Sequence, residues 1–185
     1  MTTPQTEAVR LLLGETIAFW CQTLVLLAAA IFAGLAIRSS RLIERRKAAI
    51  AALFMSHHDK RLSDALHLIA LLHQDDKKIA VWGKEDQRDS EQAQAIRYAL
   101  NHYEYVSVAI AQGIYDETLY KNGRYTTVVQ LYERTKPFID ARRDHGPKTA
   151  WQEIECLAVK WLANPLKVKT IKSVEDRNWF DRLFG

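Results

Sequence analysis

The soluble stretch richest in chemistry-bearing side chains runs from Ser90 to Gln112, SEQAQAIRYALNHYEYVSVAIAQ. Arg97, Asn101 and Glu104 stand at i, i+4 and i+7, one line down one side of a helix. Ile96, Ala99, Leu100, Tyr103, Val106 and Ile110 take up most of the remaining circumference, so this is expected to be the central helix of its domain. A guanidinium, an amide and a carboxylate on such a helix have two uses. They form a structural or solvent-facing hydrogen-bonded stripe, or they line a site; each one left buried and unpaired costs several kcal/mol. The structural use is the expectation here. Elsewhere, His57-His58-Asp59 has the residue types of a metal site, but adjacent histidines point apart and no further ligand is set by spacing. No serine, cysteine or carboxylate pair has the context of a nucleophile or an acid–base couple, and no glycine-rich phosphate loop occurs. No catalytic residue, cofactor or metal is therefore expected.

The chain that must position this stripe is organised around Thr16 to Ile37, 22 residues without a charge and with only Gln22 strongly polar. At about 1.5 Å per residue such a helix spans roughly 30 Å, the thickness of a bilayer's hydrocarbon core. A transmembrane helix is expected. Residues 1–15 carry Glu7, Arg10 and Glu15, whereas Arg38, Arg41, Arg45, Arg46 and Lys47 follow the span against one acid, Glu44. The positive-inside rule then places a short N-terminus outside the inner (plasma) membrane and the C-terminal body in the cytoplasm. A cleaved signal peptide would want its basic residues before a shorter apolar core, the reverse of this order.

Charge position also bears on partners. Residues 38–61 hold seven basic and two acidic side chains, and residues 62–185 hold 18 of each sign. The basicity is thus a juxtamembrane collar, suited to anionic lipid at Arg38, Arg41, Arg45, Arg46 and Lys47. It does not call for a nucleic-acid partner. Cys21, inside the span, and Cys156 are expected to be unpaired, the latter reduced.

Downstream, the apolar helix is expected to continue as a basic amphipathic extension through residues 38–59, with Asp59 as an N-cap. A helix from Lys60 to His73 stripes Leu62, Leu66, Ile69 and Leu72; residues 74–89 read as a polar connection containing Gly83. Asp89 or Ser90 caps the central helix, which ends at Gly113 as a left-handed cap. A short turn of helix, DETLY, opens at Asp116 and stops at Asn122-Gly123. The helix from Arg124 to Arg142 is expected to kink or divide at Pro137. Trp151, Ile154, Ala158 and Trp161 share a face of a helix from Thr149 to Leu162. Beyond it, residues 163–185 read as an extended tail and a short helix bearing Trp179, Phe180, Leu183 and Phe184. The class is all-α: one N-terminal transmembrane helix, then a helical bundle over residues 60–162.

Two resemblances add to this. ALNHYEYVSVAIAQGIYDETLY, followed by YERTKPFIDARRD and WQEIECLAVKW, resembles the bacterial and phage family known as domain of unknown function 4760. The likeness covers roughly residues 38–162, on the Asn101, Glu104, Gly113, Asp116 and Pro137 positions, and implies a membrane helix, a basic segment and a compact helical domain. The layout is also similar to that of the small membrane accessory proteins of type VI CRISPR systems, which carry degenerate HEPN-like domains. Arg97 and His102 fit the spacing of the HEPN ribonuclease motif, which would imply a membrane-tethered RNase. Arg61 with His67 fits as well, however, and five residues turn two helical side chains about 140° apart. The function expected first is a non-enzymatic, membrane-anchored interaction module. It would bind itself or other membrane proteins, in a phage- or defence-related complex or as an accessory subunit, with the Ala30/Gly34 small-xxx-small pair as a contact.

Overall fold

The computed structural model describes residues 11–12, 15–74 and 79–167. The expected final helix lies outside these residues, as does the extended tail beyond Lys167. Five helices account for most of the described chain: α1 (Ile17–His58), α2 (Lys60–Gln74), α3 (Glu91–Ala111), α4 (Glu117–His145) and α5 (Gln152–Ala163). The protein is all-α. Its extended pairing among the described residues is a two-rung ladder of Leu11–Leu12 with Glu15–Thr16, just before α1.

α1 runs 42 residues without a break. Its first half is long and apolar enough to cross a membrane, and none of its most apolar window is buried by the other described residues. The second half changes character as the sequence changes. Ala49 is fully buried and Ser56 nearly so, with Ala52 and Leu53 half-buried between them, so only the last turns of α1 dock on the bundle.

Local chemistry sets most boundaries. The Asp59 carboxylate accepts the Leu62 N–H at 2.9 Å and starts α2 directly after α1 ends. Ser90 caps α3 through the Ala93 N–H at 3.3 Å, and Asp116 caps α4 through the Leu119 N–H at 2.9 Å. Gly113, at φ +68, closes α3 in the left-handed region, where an L side chain would be strained. Inside, Leu62, Ile69, Ile96, Leu100, Tyr103, Val128, Phe138, Ile154 and Trp161 form one apolar core shared by α2–α5.

Three expectations are corrected. Residues 79–83 are not part of a polar connection but a 3-10 turn packed on α4, with Ile79 and Gly83 buried. A Cβ on Gly83 would sit 2.7 Å from the Phe138 carbonyl oxygen, so the turn approaches α4 as only glycine allows. Asn122-Gly123 does not interrupt α4. Gly123 lies under Leu53 of α1, whose Cδ atoms would be 3.1–3.2 Å from an added Cβ, and this helix–helix contact offsets glycine's roughly 1 kcal/mol helix penalty. Nor does Pro137 divide α4: both Pro137 and Glu133, whose carbonyl loses its partner, are on the solvent-exposed side.

Candidate functional site

The helices bring the polar stripe of α3 against the start of α5. Trp151, at the N-cap position of α5, has φ 55 and ψ 39, and its side chain caps nothing. The orphan N–H groups of α5 are met from α3 instead. Glu104 Oε1 accepts the Glu153 N–H at 3.2 Å and Oε2 the Ile154 N–H at 2.9 Å, a carboxylate at the positive end of a helix. Asn101 Oδ1 accepts the Trp151 indole N–H at 2.8 Å.

The left-handed Trp151 is held from both sides. Its ring lies against Phe138, centroids 5.7 Å apart. Arg143 Nη2 donates to the Ala150 carbonyl at 2.7 Å, and Nη1 to Glu155 Oε2 at 2.7 Å. Arg143, then the Tyr132 hydroxyl at 2.8 Å, hold the Glu155 carboxyl below its usual range against a smaller opposing effect of burial. Asn101 and Glu104 are thus docking groups for α5, a role the helical spacing alone could not assign because their partners lie 49 or 50 residues away.

Arg97, the third member of the stripe, makes no side-chain hydrogen bond among the described residues. It lines an open cleft of about 430 Å³ with Arg88, Asp89, Arg142, Pro147 and Trp151. Arg88 and Arg142 are both drawn to Glu85, at 3.2 and 2.7 Å, which leaves Arg97 as the half-buried cation of this cleft with no ion-pair partner among the described residues. His102 turns elsewhere. Its Nε2 is buried without a hydrogen-bond partner among the described residues, and the charged groups that act on it are Asp59 and Arg124 rather than anything in the Arg97 cleft. The sequence pair Arg97–His102 is therefore not brought together within one chain.

Around His102 lies a polar centre that the sequence did not announce. Tyr103 and Tyr120 are fully buried, with hydroxyls that find no hydrogen-bond partner among the described residues. The Tyr120 hydroxyl lies beside Ser56, though short of hydrogen-bond geometry, and Arg124 Nη2 donates to Ser56 Oγ at 3.1 Å. Burial pushes both tyrosine hydroxyls up and the His102 imidazole down. At its rim the Tyr98 hydroxyl donates to Asp59 at 2.8 Å, with the Arg61 guanidinium over the Tyr98 ring. The signal, in retrospect, is that Ser56, Tyr120 and Arg124 fall on the faces by which α1 and α4 meet. Among the described residues no group of three or more histidine, cysteine or carboxylate side chains converges as a metal site.

Ala30 and Gly34 stand on the unburied half of α1, with nothing within 4 Å of a Cβ placed on Gly34. In the collar, Arg46 reaches Asp116 at 3.5 Å and Lys47 reaches Glu44 at 3.1 Å, while Arg38 and Arg41 are exposed.

No curated protein and no solved structure matches the chain. A family model described as domain of unknown function (DUF4760) does, over residues 23–161. That span begins inside the apolar half of α1 and ends at Trp161, so it takes in the docking of α5 by Asn101 and Glu104 as well as the polar centre. The chain belongs to the DUF4760 family.

Proposed function

We propose that this protein is a non-enzymatic, membrane-anchored interaction module that associates with itself or with other membrane proteins. The observation that carries the reading is α1. Its apolar half is covered by nothing among the described residues, yet it runs without a break into turns that are built into the bundle core. A helix apolar on every face has lipid as its natural surroundings. The collar orients it with the bundle on the cytoplasmic side, as a single-pass protein of the inner membrane.

The side chains with chemical potential support binding rather than turnover. Glu104 and Asn101 are occupied in holding α5, and Arg97 opens on a cleft away from His102, which weighs against the ribonuclease reading. Ala30 and Gly34 offer a lipid-facing surface where two backbones can approach closely. A reporter pair tests the placement. Green fluorescent protein fused after Gly185 should fluoresce, and alkaline phosphatase at the same point should be inactive. Active phosphatase there would reverse the orientation, and a chain extracted from membranes by carbonate would remove the anchor.

A further inference from the structure

The contacts between α1 and the bundle fix which end of the bundle faces the apolar half of α1. Arg45 is eight residues beyond Ile37, or about 12 Å further along the axis. There the bundle begins. The Asp116 N–H donates to the Arg45 carbonyl at 3.4 Å, and Arg46 reaches the Asp116 carboxylate. α5 ends at the same edge: Glu117 accepts Lys160 Nζ at 2.7 Å and Trp161 Nε1 at 3.1 Å, and Lys121 Nζ donates to the Asn164 carbonyl. Those bonds outweigh burial, the largest opposing influence, and hold the Glu117 carboxyl low. Headgroups add roughly 6 Å to each face of a hydrocarbon core about 30 Å thick. The edge of the bundle therefore stands within side-chain reach of the headgroup layer, provided that α1 spans the membrane as proposed above.

This edge exposes apolar side chains beside cations. Ile114, in the α3–α4 turn, is 55% exposed, and Leu162 and Leu166 are 40% and 39% exposed. Lys160 and Lys167 are exposed beside them, whereas the edge's two carboxylates, Asp116 and Glu117, are already paired with Arg46 and Lys160. Apolar tips between basic heads, next to the collar arginines, match an anionic membrane surface in both polarity and charge. The sequence that follows Lys167 is mixed in charge, with Lys169, Lys172, Arg177 and Arg182 against Glu175, Asp176 and Asp181, and it carries the aromatic residues Trp179, Phe180 and Phe184.

We propose that the α3–α4 turn and the Ala163–Lys167 segment are a second membrane contact, by which the near edge of the bundle seats on anionic headgroups. Ile114, Leu162 and Leu166 enter the interfacial layer, and Lys167, beside the collar arginines Arg38 and Arg41, meets lipid phosphates. The bundle is then clamped at two points, by α1 and by this edge, and cannot swing freely about the collar.

The test uses the full chain in lipid nanodiscs with Cys21→Ser and Cys156→Ser. Single cysteines replace Ile114, Leu166, Val81 (in the 79–83 turn, against the distal end of α4) or Ile31 (in the apolar half of α1), each labelled with an environment-sensitive fluorophore. Quenching by spin-labelled headgroups should be several-fold stronger at positions 114 and 166 than at 81 in discs containing anionic lipid. In purely zwitterionic discs it should fall towards the level at 81. Positions 114 and 166 as unquenched as 81, with position 31 protected within lipid, would overturn the seat while leaving the span intact. A water-exposed fluorophore at position 31 would overturn the span itself. Equal quenching at 114 and 166 in both lipid mixtures would overturn anionic headgroups as the partner.

Discussion

Glu104→Leu is the substitution that bears most directly on what the polar stripe of α3 does. Glu104 supplies the carboxylate that accepts two N–H groups at the start of α5, where Trp151 supplies no cap. Hydrogen bonds to a charged acceptor contribute about 1.5–3 kcal/mol, and loss of an N-cap costs about 1 kcal/mol. These describe overlapping interactions, so the expected loss for Glu104→Leu is about 2–3 kcal/mol, or about 5–10 °C in Tm for a chain of this size. Glu104→Gln keeps one acceptor oxygen without the charge and should lose about half as much. Asn101→Ala combined with Glu104→Leu should cost less than the sum of the two, because both groups act on the same helix start. Arg97→Gln, which removes no bond, should stay within about 0.5 kcal/mol of the parent. The measurement is thermal unfolding of the full chain in detergent, followed by far-ultraviolet circular dichroism. An unchanged Tm for Glu104→Leu, or a drop for Arg97→Gln as large, would refute the assignment.

Burial depresses the His102 imidazole below its ordinary value of 6.5, with Asp59 opposing the shift and Arg124 adding to it. The unfolded chain therefore binds the extra proton first, so stability is complete above about pH 6.5 and falls as the pH drops below it. His102→Leu should flatten that limb in urea midpoints between pH 7.5 and 5. The Asp59 and Glu155 carboxyls, both depressed, should produce a separate decline only at lower pH, below the ordinary carboxylate range. Gly83→Ala should lower stability by about 1–3 kcal/mol, since its Cβ would meet the Phe138 carbonyl at 2.7 Å and Ala141 Cβ at 2.8 Å. An unaffected urea midpoint would show that the 79–83 turn can shift.

What was legible in the sequence is what local chemistry decides. Asp59, Ser90 and Asp116 cap helices because a short polar side chain there satisfies N–H groups of the turn that follows, and Gly113 ends α3 because only glycine adopts its backbone cheaply. The alternating needs of Ile96, Tyr103 and Ile110 likewise marked α3 as central, and all three are buried. The misreadings arose where a distant partner overrides a local preference. Gly123 and Pro137 are helix breakers by themselves, yet one packs beneath Leu53 and the other lies on the solvent side. Ile79-Ala80-Val81-Trp82-Gly83 is an apolar run inside a charged connection, and its burial depended on α4 passing within contact. The destination of Glu104 was hidden for the same reason: its acceptor role is defined by a helix start about 50 residues later.

The geometry of α1 constrains how two copies can meet. Gly34 and Arg45 are eleven residues apart, just over three whole turns, so they lie on nearly the same side of the helix. Arg45 is where the bundle attaches. A close pair built on Ala30 and Gly34 would therefore carry both bundles on the side that faces the partner, starting about 17 Å beyond the contact. A right-handed crossing near 40°, usual for small-residue pairs, opens the axes by only about 12 Å over that distance. That is no more than the diameter of one helix with its side chains, about 10–12 Å. Association through this pair thus has to bring bundle against bundle as well as span against span. Amine cross-linking between bundles and disulfide cross-linking at Ala30→Cys, measured in native membranes, should rise and fall together. Gly34→Leu, which leaves the span apolar, should reduce both. Bundle cross-links that persist in Gly34→Leu would place self-association in the bundle alone and set aside the small-residue contact.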